Sequence, residues 1–290
     1  MTGGNNTAIG ASSLQNNTTG GDNTAIGGFV MYQNTTGGFN SVLGSGALSA
    51  SAAASFNCAV GWQAMGHYIS GNNNNAFGYQ ALNSASGTGN DNNAFGYQAL
   101  SLLATGINNI ALGSLAGTNY TGAESNNIVI GNTGTTGDNG TIRIGTSGTH
   151  TTNFQAGIAG VGVTGVAVMV SASGQLGVTA SSIRYKENVQ DMNATSSAIL
   201  NLRPVTFSYK ADATQTQQFG LIAEEVHKVM PALVIKGTDG QIESVKYHDL
   251  TVLLLNELIK VRNELKEVSD ELKTTKQLLV TTLIEHGYIE

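Results

Sequence analysis

The sequence predicts a multidomain chain, in which an N-terminal β-solenoid or β-roll of short repeats, assembled as a trimer, precedes a small α/β domain that ends in a long coiled-coil helix. Three observations lead to this fold class. One motif recurs at regular spacing, apolar residues follow heptads near the C-terminus, and the composition changes abruptly after residue 180. Residues 1–180 hold 34 of the 38 glycines and one basic residue, whereas residues 181–290 hold the other 12 Lys and Arg.

The repeated motif is Asn-x-Ala/Val-apolar-Gly, and it recurs every 17 or 18 residues. Its eight glycines are Gly10, Gly27, Gly44, Gly61, Gly78, Gly96, Gly113 and Gly131. An asparagine lies four residues before each of them, at Asn6, Asn23, Asn40, Asn57, Asn74, Asn92, Asn109 and Asn127. A unit of this length is too short for a pair of helices and fits one turn of a β-solenoid. We therefore predict β-solenoid repeats over residues 1–145.

The chemistry of the motif predicts what each position does. The apolar residue before each glycine is expected to stack on its counterpart in the next turn and to form a continuous core. The asparagines are expected to form a ladder of side-chain amides, and the glycines to allow tight corners. The alternative is a disordered, low-complexity tract, but such a tract has no reason to hold an apolar position in register.

The repeats contain few large apolar side chains, so that one chain buries little surface and association with identical chains is expected. The Asn-x-Ala-Ile-Gly units resemble those of trimeric autotransporter adhesin heads and phage tail-fibre shafts, which implies a homotrimer. Residues 146–180 are predicted to form a β-rich stalk or connector. Within it, residues 157–179 are expected to supply one or two apolar strands closed by a Ser-Gly turn.

Composition disfavours several classes of function. A net charge of −6 argues against nucleic-acid binding, and no segment has the pattern of a signal peptide or of a membrane-spanning helix. The five histidines lack metal-ligand spacing, and no phosphate-binding glycine loop is present. The single cysteine, Cys58, is expected to be a small core residue. Neither a metal, a cofactor, a nucleic acid nor a membrane is therefore expected as a partner.

Residues 181–290 carry the signals of a globular α/β domain. We predict a short helix over residues 193–202, with Asn193 as its cap and Pro204 beyond its end. A strand is expected over 205–209, and the segment 219–222 is expected to lead into a helix over 223–229. Residues 233–235 and 242–247 are predicted to pair as a hairpin around the Asp239-Gly240 turn.

A long helix is predicted from about residue 249 to 286, with a heptad pattern along it. Leucine occupies the a positions and β-branched residues the d positions, which favours trimers or tetramers over dimers. The a and d residues are Leu258, Val261, Leu265, Val268, Leu272, Thr275, Leu279 and Thr282. The alternative, an amphipathic helix packed on its own domain, is disfavoured by the length of the pattern and its charged flanks.

A serine lies at the boundary between the two parts and a lysine follows five residues later, at Ser181 and Lys186. A serine hydroxyl is a weak nucleophile and needs a base that is neutral near pH 7. A lysine serves as that base when burial among apolar groups disfavours its charged form. From spacing alone, a lysine on the surface remains the alternative.

Four segments strengthen this interpretation by resemblance. SSIRYKEN at residues 181–188, LNLRPVTFSYK at 200–210, FGLIAEEV at 219–226 and YHDLTVLLLNEL at 247–258 resemble, in this order, the self-cleaving intramolecular chaperone domain. That domain ends phage endosialidases, tail fibres and neck appendages, and also occurs in a membrane-bound transcription factor of animals. The resemblance spans nearly all of residues 181–290 and implies that they bring three chains together, fold a β-stalk and then cut themselves off.

The resemblance also implies the roles of individual residues. Ser181 corresponds to the nucleophile, Lys186 to the general base, and the bond between Ala180 and Ser181 to the one that is cut. The family usually has Asp directly after the serine, whereas this chain has Ser182, which makes Ser182 a second candidate for the nucleophile. His248 is an alternative helper, although a histidine at the start of a helix is more often a cap or a surface residue.

These inferences predict a trimeric fibre protein of a phage tail or of a cell-surface appendage, with a single-turnover Ser–Lys endopeptidase that releases its own chaperone domain. The alternative is a structural or adhesive fibre whose C-terminal domain is only a trimerisation clamp and stays attached. In either case a host-surface glycan or receptor is a possible partner of the fibre, and the sequence does not identify it.

Overall fold

The computed structural model of this chain describes residues 3–84, 86–158, 162, 164–171, 173–237, 239–286 and 288–289. Its contacts divide the chain into two compact units, residues 1–159 and 160–290. The division falls inside the predicted connector of residues 146–180. The predicted domain boundaries at residues 145 and 180 remain predictions.

The first unit is a β-solenoid, as the repeats predict. Within the part of this unit that the structure describes, nine strands of three residues each form one parallel sheet in chain order, and each strand pairs in register with the next. The strands are β1 (Thr7–Ile9), β2 (Thr24–Ile26), β3 (Ser41–Leu43), β4 (Cys58–Val60), β5 (Asn75–Phe77), β6 (Asn93–Phe95), β7 (Ile110–Leu112), β8 (Ile128–Ile130) and β9 (Ile142–Ile144). The strand β9 extends the sheet beyond the eight predicted repeats.

The core of the solenoid corrects one prediction. The apolar residue before each glycine does not build the core, because successive side chains of a strand point to opposite faces and only the middle one points inward. The middle residues Ala25, Val42, Ala59, Ala76, Ala94, Ala111 and Val129 are buried. The same core includes Leu48, Met65, Leu82 and Leu100, each of which follows an alanine after a corner. The residue before the glycine instead lies outside, as at Leu43 and Leu112.

The asparagine ladder is present, and its hydrogen bonds run from turn to turn. The Asn40 side-chain oxygen accepts the backbone N–H of Asn57 at 3.0 Å and its side-chain amide at 3.2 Å. The Asn57 amide also donates to the Gly71 carbonyl oxygen at 3.0 Å. The same pattern recurs at neighbouring asparagines. Each buried amide is therefore satisfied by the turns next to it, which removes the cost of burying it.

Glycine is required at the corner of each turn. At Gly44 the backbone has a φ of +133°, and a Cβ would lie 2.3 Å from the carbonyl oxygen of Gly61 in the next turn. Any larger residue would therefore meet both a strained backbone conformation and a clash with the adjacent turn.

The C-terminal end of the solenoid is closed by charged side chains. Arg143 replaces the small middle residue in β9 and pairs with Asp138 through Nε at 2.6 Å and a terminal nitrogen at 2.7 Å. Asp138 also accepts the Tyr120 hydroxyl at 3.0 Å, and Glu124 accepts the backbone N–H of Gly137 at 3.1 Å. These groups take the place of a further turn, because they make hydrogen bonds that the backbone of such a turn would otherwise make.

In its described residues, the second unit contains three two-stranded antiparallel sheets and two α-helices. Its strands are β10 (Val168–Val170) with β11 (Leu176–Val178), β12 (Val205–Phe207) with β13 (Gln218–Gly220), and β14 (Val234–Lys236) with β15 (Ile242–Val245). The helices are α1 (Ala223–Val229) and α2 (Tyr247–Glu285), and a 3-10 helix spans Asn193–Asn201. Ile199, Val226, Leu233, Val234, Val245 and Leu253 form its core.

Most of the predicted elements of this unit are present, and several differ in type or in bounds. The helix over 193–202 is a 3-10 helix, and Asn193 is its first residue, with a φ of +45°, rather than its cap. The segment before α1 contains the strand β13, which pairs with β12. The predicted strand over 205–209 ends at Phe207. The connector does contain a hairpin, with Ser173 and Gly174 in its turn.

Candidate active site

The segment that carries the predicted dyad is a short turn held by its own backbone. A 3-10 turn spans Ile183–Tyr185, and the backbone N–H of Lys186 donates to the Ile183 carbonyl oxygen at 3.1 Å. The Ser182 hydroxyl caps this turn by accepting the backbone N–H of Arg184 at 3.4 Å, as capping serines do. The turn brings Lys186 back towards the start of the segment.

The two predicted catalytic side chains lie within hydrogen-bond reach of each other. The Lys186 Nζ donates to the Ser181 Oγ at 3.3 Å, and both side chains are exposed. A nucleophile and its base need this proximity. A lysine acts as a base only when its surroundings disfavour the ammonium form, and exposure to water does not do so.

The two other candidates make different contacts. The Ser182 Oγ also accepts the Arg184 Nε at 3.2 Å, so that its hydroxyl is engaged in the turn. His248, at the start of α2, lies 3.7 Å from the Asp249 carboxylate. Within the part of the chain that the structure describes, no hydrogen bond joins His248 to Ser181 or Lys186. The geometry therefore brings Ser181 and Lys186 together and leaves His248 apart.

Apolar side chains next to the dyad are open to solvent. Ile183, Tyr185 and Val189 are each about two-thirds exposed, and the Arg184 guanidinium lies over the Tyr185 ring at 5.5 Å. Apolar side chains therefore lie open to solvent on the same short segment as Ser181 and Lys186.

Sequence reasoning missed a buried polar cluster in the same unit. Ser196, in the 3-10 helix, is fully buried and contacts Asn256, Glu257 and Lys260 of α2. In the sequence, Glu257 and Lys260 are recognisable only as charged residues that flank the heptads. Nothing in the sequence connects them to Ser196, which lies 61 positions before Glu257.

The described residues contain no group of three or more His, Cys, Asp or Glu side chains placed to hold a metal ion. No helix among them combines the length and the apolar composition needed to cross a bilayer.

Comparison with known proteins bears on this unit. Residues 181–235 match the family described as chaperone of endosialidase, which is classed with the peptidases. The match begins at Ser181 and extends through α1 into β14. No curated protein and no solved structure matches the chain. Over residues 181–235 the chain is thus similar to the chaperone of endosialidase family, which supports a chaperone domain of that type in this part of the chain.

Proposed function

We propose that this chain is a phage tail-fibre or adhesin-like subunit of a homotrimeric fibre, located on a virion tail or a cell-surface appendage. Its chaperone domain drives the folding of three solenoids and then releases itself by cutting between Ala180 and Ser181. The match to the chaperone family begins at Ser181, and the hydroxyl of this serine lies 3.3 Å from the Lys186 amine. This coincidence is the observation that carries the proposal.

The reaction follows from the chemistry of these two groups. The neutral Lys186 amine takes the proton of the Ser181 hydroxyl, and the oxygen attacks the carbonyl carbon of Ala180. The bond from that carbon to the Ser181 nitrogen breaks, the nitrogen takes up the proton, and an ester to Ser181 Oγ remains. Water then hydrolyses the ester, leaving a carboxylate at Ala180 and a free amino group at Ser181. Each chain performs the reaction once.

The exposure of the dyad supports a link between cutting and assembly. In a single chain Lys186 is exposed, so that nothing removes water from its amine. Burial by neighbouring chains against Ile183, Tyr185 and Val189 would supply the desolvation that the base requires. A chain would therefore cut itself only after the trimer has formed.

Exposed apolar surfaces in both units support the homotrimer. The residues before the glycines form an outward stripe along the solenoid, which includes Ile9, Leu43, Phe95, Leu112 and Ile144. In α2 the heptad residues Leu258, Leu265 and Leu272 are each about two-thirds exposed. Apolar stripes of this length are covered in a stable protein, and identical chains carry matching repeats.

The test is denaturing electrophoresis of the freshly made full-length chain, with N-terminal sequencing. Two fragments are expected, and the smaller should begin at Ser181. Ser181→Ala and Lys186→Ala should each give one uncut band that still assembles. Ser182→Ala is the matched control and should still be cut. Cleavage that survives Ser181→Ala, or a fragment that begins elsewhere, would contradict the assignment.

The second candidate is a clamp that trimerises the fibre and stays attached. The exposed position of both dyad residues favours it, and so does Ser182 in place of the family's usual Asp. This candidate predicts a single band for the wild-type chain in the same experiment.

A further inference from the structure

A buried hydrogen-bonded cluster joins the 3-10 helix of residues 193–201 to α2. The Ser196 hydroxyl, which is fully buried, donates to the Glu257 carboxylate and accepts the Asn256 amide at 2.6 Å and the Lys260 Nζ at 3.2 Å. Lys260 also pairs with Glu257 at 2.6 Å and donates to the Ser197 hydroxyl at 3.0 Å. Each polar atom at the centre of the cluster therefore has a partner.

The cluster is not a second peptidase site, although it contains a serine and a lysine. The Ser196 hydroxyl already makes three hydrogen bonds, which is its full capacity, and no surface of it is open to a peptide. The Lys260 Nζ donates to Glu257 and to the hydroxyls of Ser196 and Ser197, so that its three hydrogen-bonding positions are already occupied. What the cluster contributes is geometry.

A polar cluster restricts a helix more than apolar packing does. One helical turn earlier, Leu253 of α2 belongs to the apolar cluster that includes Ile199 of the 3-10 helix, and apolar contacts tolerate small rotations and slips. The hydrogen bonds to Ser196 are satisfied in one register only, since a slip would leave the Glu257 carboxylate buried without its partners. Buried polar groups that fix register in this way are known from coiled coils.

The locked residues lie next to the heptad stripe. Glu257 and Lys260 directly precede Leu258 and Val261, the first a and d residues, which point to solvent. Successive residues of a helix are about 100° apart, so that holding Glu257 and Lys260 against the 3-10 helix fixes the direction of the stripe. The same 3-10 helix begins a few residues after Lys186 in the chain.

We infer that Ser196, Asn256, Glu257 and Lys260 form a positioning lock. When α2 assembles with partner copies, this lock transmits the position of α2 to the segment that bears Ser181 and Lys186. The lock rests on the proposed function, because it acts on that cleavage. Its members are positioning residues, and none of them contacts the bond that is cut. A loosened lock should therefore leave the helices able to associate and slow the cutting.

The experiment compares cleavage and assembly in the same samples of the full-length chain. Glu257→Gln keeps the shape of the side chain and removes its charge. It should slow cleavage by about tenfold, the scale of coupling within a hydrogen-bonded network, while trimer formation by light scattering stays within about twofold. Asp270→Asn is the matched control, because Asp270 pairs with Lys273 at 3.0 Å on the exposed side of α2. It should change neither rate.

A rescue variant separates positioning from general damage. The exchanged pair Glu257→Lys with Lys260→Glu keeps one carboxylate and one ammonium beside Ser196, and should recover most of the cleavage rate. If Glu257→Gln fails to assemble, Ser196→Ala takes its place, because it removes the centre of the cluster and leaves the Glu257–Lys260 pair intact.

The outcomes distinguish the two proposals. An uncut wild-type chain overturns the proposed function, and the lock with it. If the wild type is cut and Glu257→Gln is cut at the same rate, the lock is wrong and the proposed function stands. Equal losses of assembly and cleavage, without recovery in the exchanged pair, also overturn the lock, since they indicate a merely structural role.

Discussion

The few charged side chains of residues 1–180 have a structural role, which is seen at Glu124, Asp138 and Arg143. Residues 1–180 contain only four acidic side chains and one basic one, and these three lie at the last turn of the solenoid. There the carboxylates accept backbone N–H groups, of Gly122 and Gly137 at Glu124 and of Thr135 at Asp138. The charges therefore replace hydrogen bonds that the next turn would make.

The ion pair at this end predicts a pH-dependent stability. The Arg143 guanidinium holds the pKa of Asp138 below its usual value of 3.8. A lowered folded-state pKa gives a stabilisation that is present above the unfolded-state value and is lost as pH falls through the folded-state value. Asp138→Asn should therefore speed unfolding at neutral pH, and its difference from the wild type should shrink as the pH falls below the usual carboxyl value of 3.8.

The unfolding rate of the released solenoid in guanidinium, compared at neutral and at acidic pH, measures this effect. Asp91→Asn is the control, since Asp91 is exposed and makes no ion pair in the described residues. A difference that widens on acidification would contradict the role of the pair.

Lys186 gives the second prediction at this scale. Lys186→Arg keeps a positive charge and hydrogen-bond donors near Ser181, but an arginine does not lose its proton in a protein. If Lys186 is the general base, this variant should be cut at least about 100-fold more slowly than the wild type. A time course on denaturing gels measures the rate, and Lys210→Arg on the same domain is the control. Near-normal cutting in Lys186→Arg would show that Lys186 has only an electrostatic role.

At the scale of elements, the amide ladder predicts how one turn depends on the next. Asn57 is buried and bonds to the turns on both sides of it. Asn57→Ala should therefore leave partners unsatisfied and cost about 1–3 kcal/mol per chain. Asn16→Ala, at an exposed position of the same solenoid, should cost far less. Because the trimer is expected to unfold irreversibly, the unfolding rate in guanidinium is the measurement. Equal rates for the two variants would mean that the ladder contributes no stability.

The heptad stripe of α2 gives a second prediction for an element. Leu265→Glu with Leu272→Glu places charges on the exposed stripe, and should reduce both trimer assembly and cleavage, because assembly is expected to come first. Placing charges on the opposite side of the helix, with Asn263→Glu and Gln277→Glu, is the control, because both positions are exposed. Light scattering and electrophoresis of the same samples measure both effects. Full cleavage in a monomeric variant would contradict the coupling.

The sequence predicted where strands and helices lie better than it predicted which side chains point inward and which point to solvent. A period of 17 or 18 residues is sufficient to indicate a solenoid turn, and the amide ladder followed from the asparagines in register. Which strand residue points inward could not be inferred, because an alanine and an isoleucine are both apolar and a three-residue strand carries too little alternation. The repeat pattern did not predict the strand β9, because this strand carries Arg143 in place of the small middle residue.

The candidate site was predictable only where its residues are close in sequence. Ser181 and Lys186 are five residues apart, so that one turn of chain joins them. The Ser196 cluster depends on the packing of α2 against the 3-10 helix, and long-range contacts of this kind leave no mark on local spacing. Whether Ser181 and Lys186 act as a dyad remains a prediction.

At the scale of the whole molecule, the two units have opposite folding requirements. The solenoid has many equivalent turns and little local helix propensity, so that its strands can pair out of register while their edges are open to aggregation. The domain from residue 181 has a core of its own and a long helix. A domain that first holds three chains side by side would set the register of the solenoids. Its removal would then make the folded fibre hard to unfold and refold.

The central claim is that residues 181–290 fold the solenoid and then leave it. Its most direct test is to express residues 1–180 alone and to compare them with the same residues released by cleavage from the full-length chain. We expect the released fragment to be a soluble trimer that resists detergent and does not refold after denaturation. The fragment made alone should be largely insoluble. A soluble trimer of residues 1–180, made without residues 181–290, would contradict the chaperone role even if the full-length chain is cut.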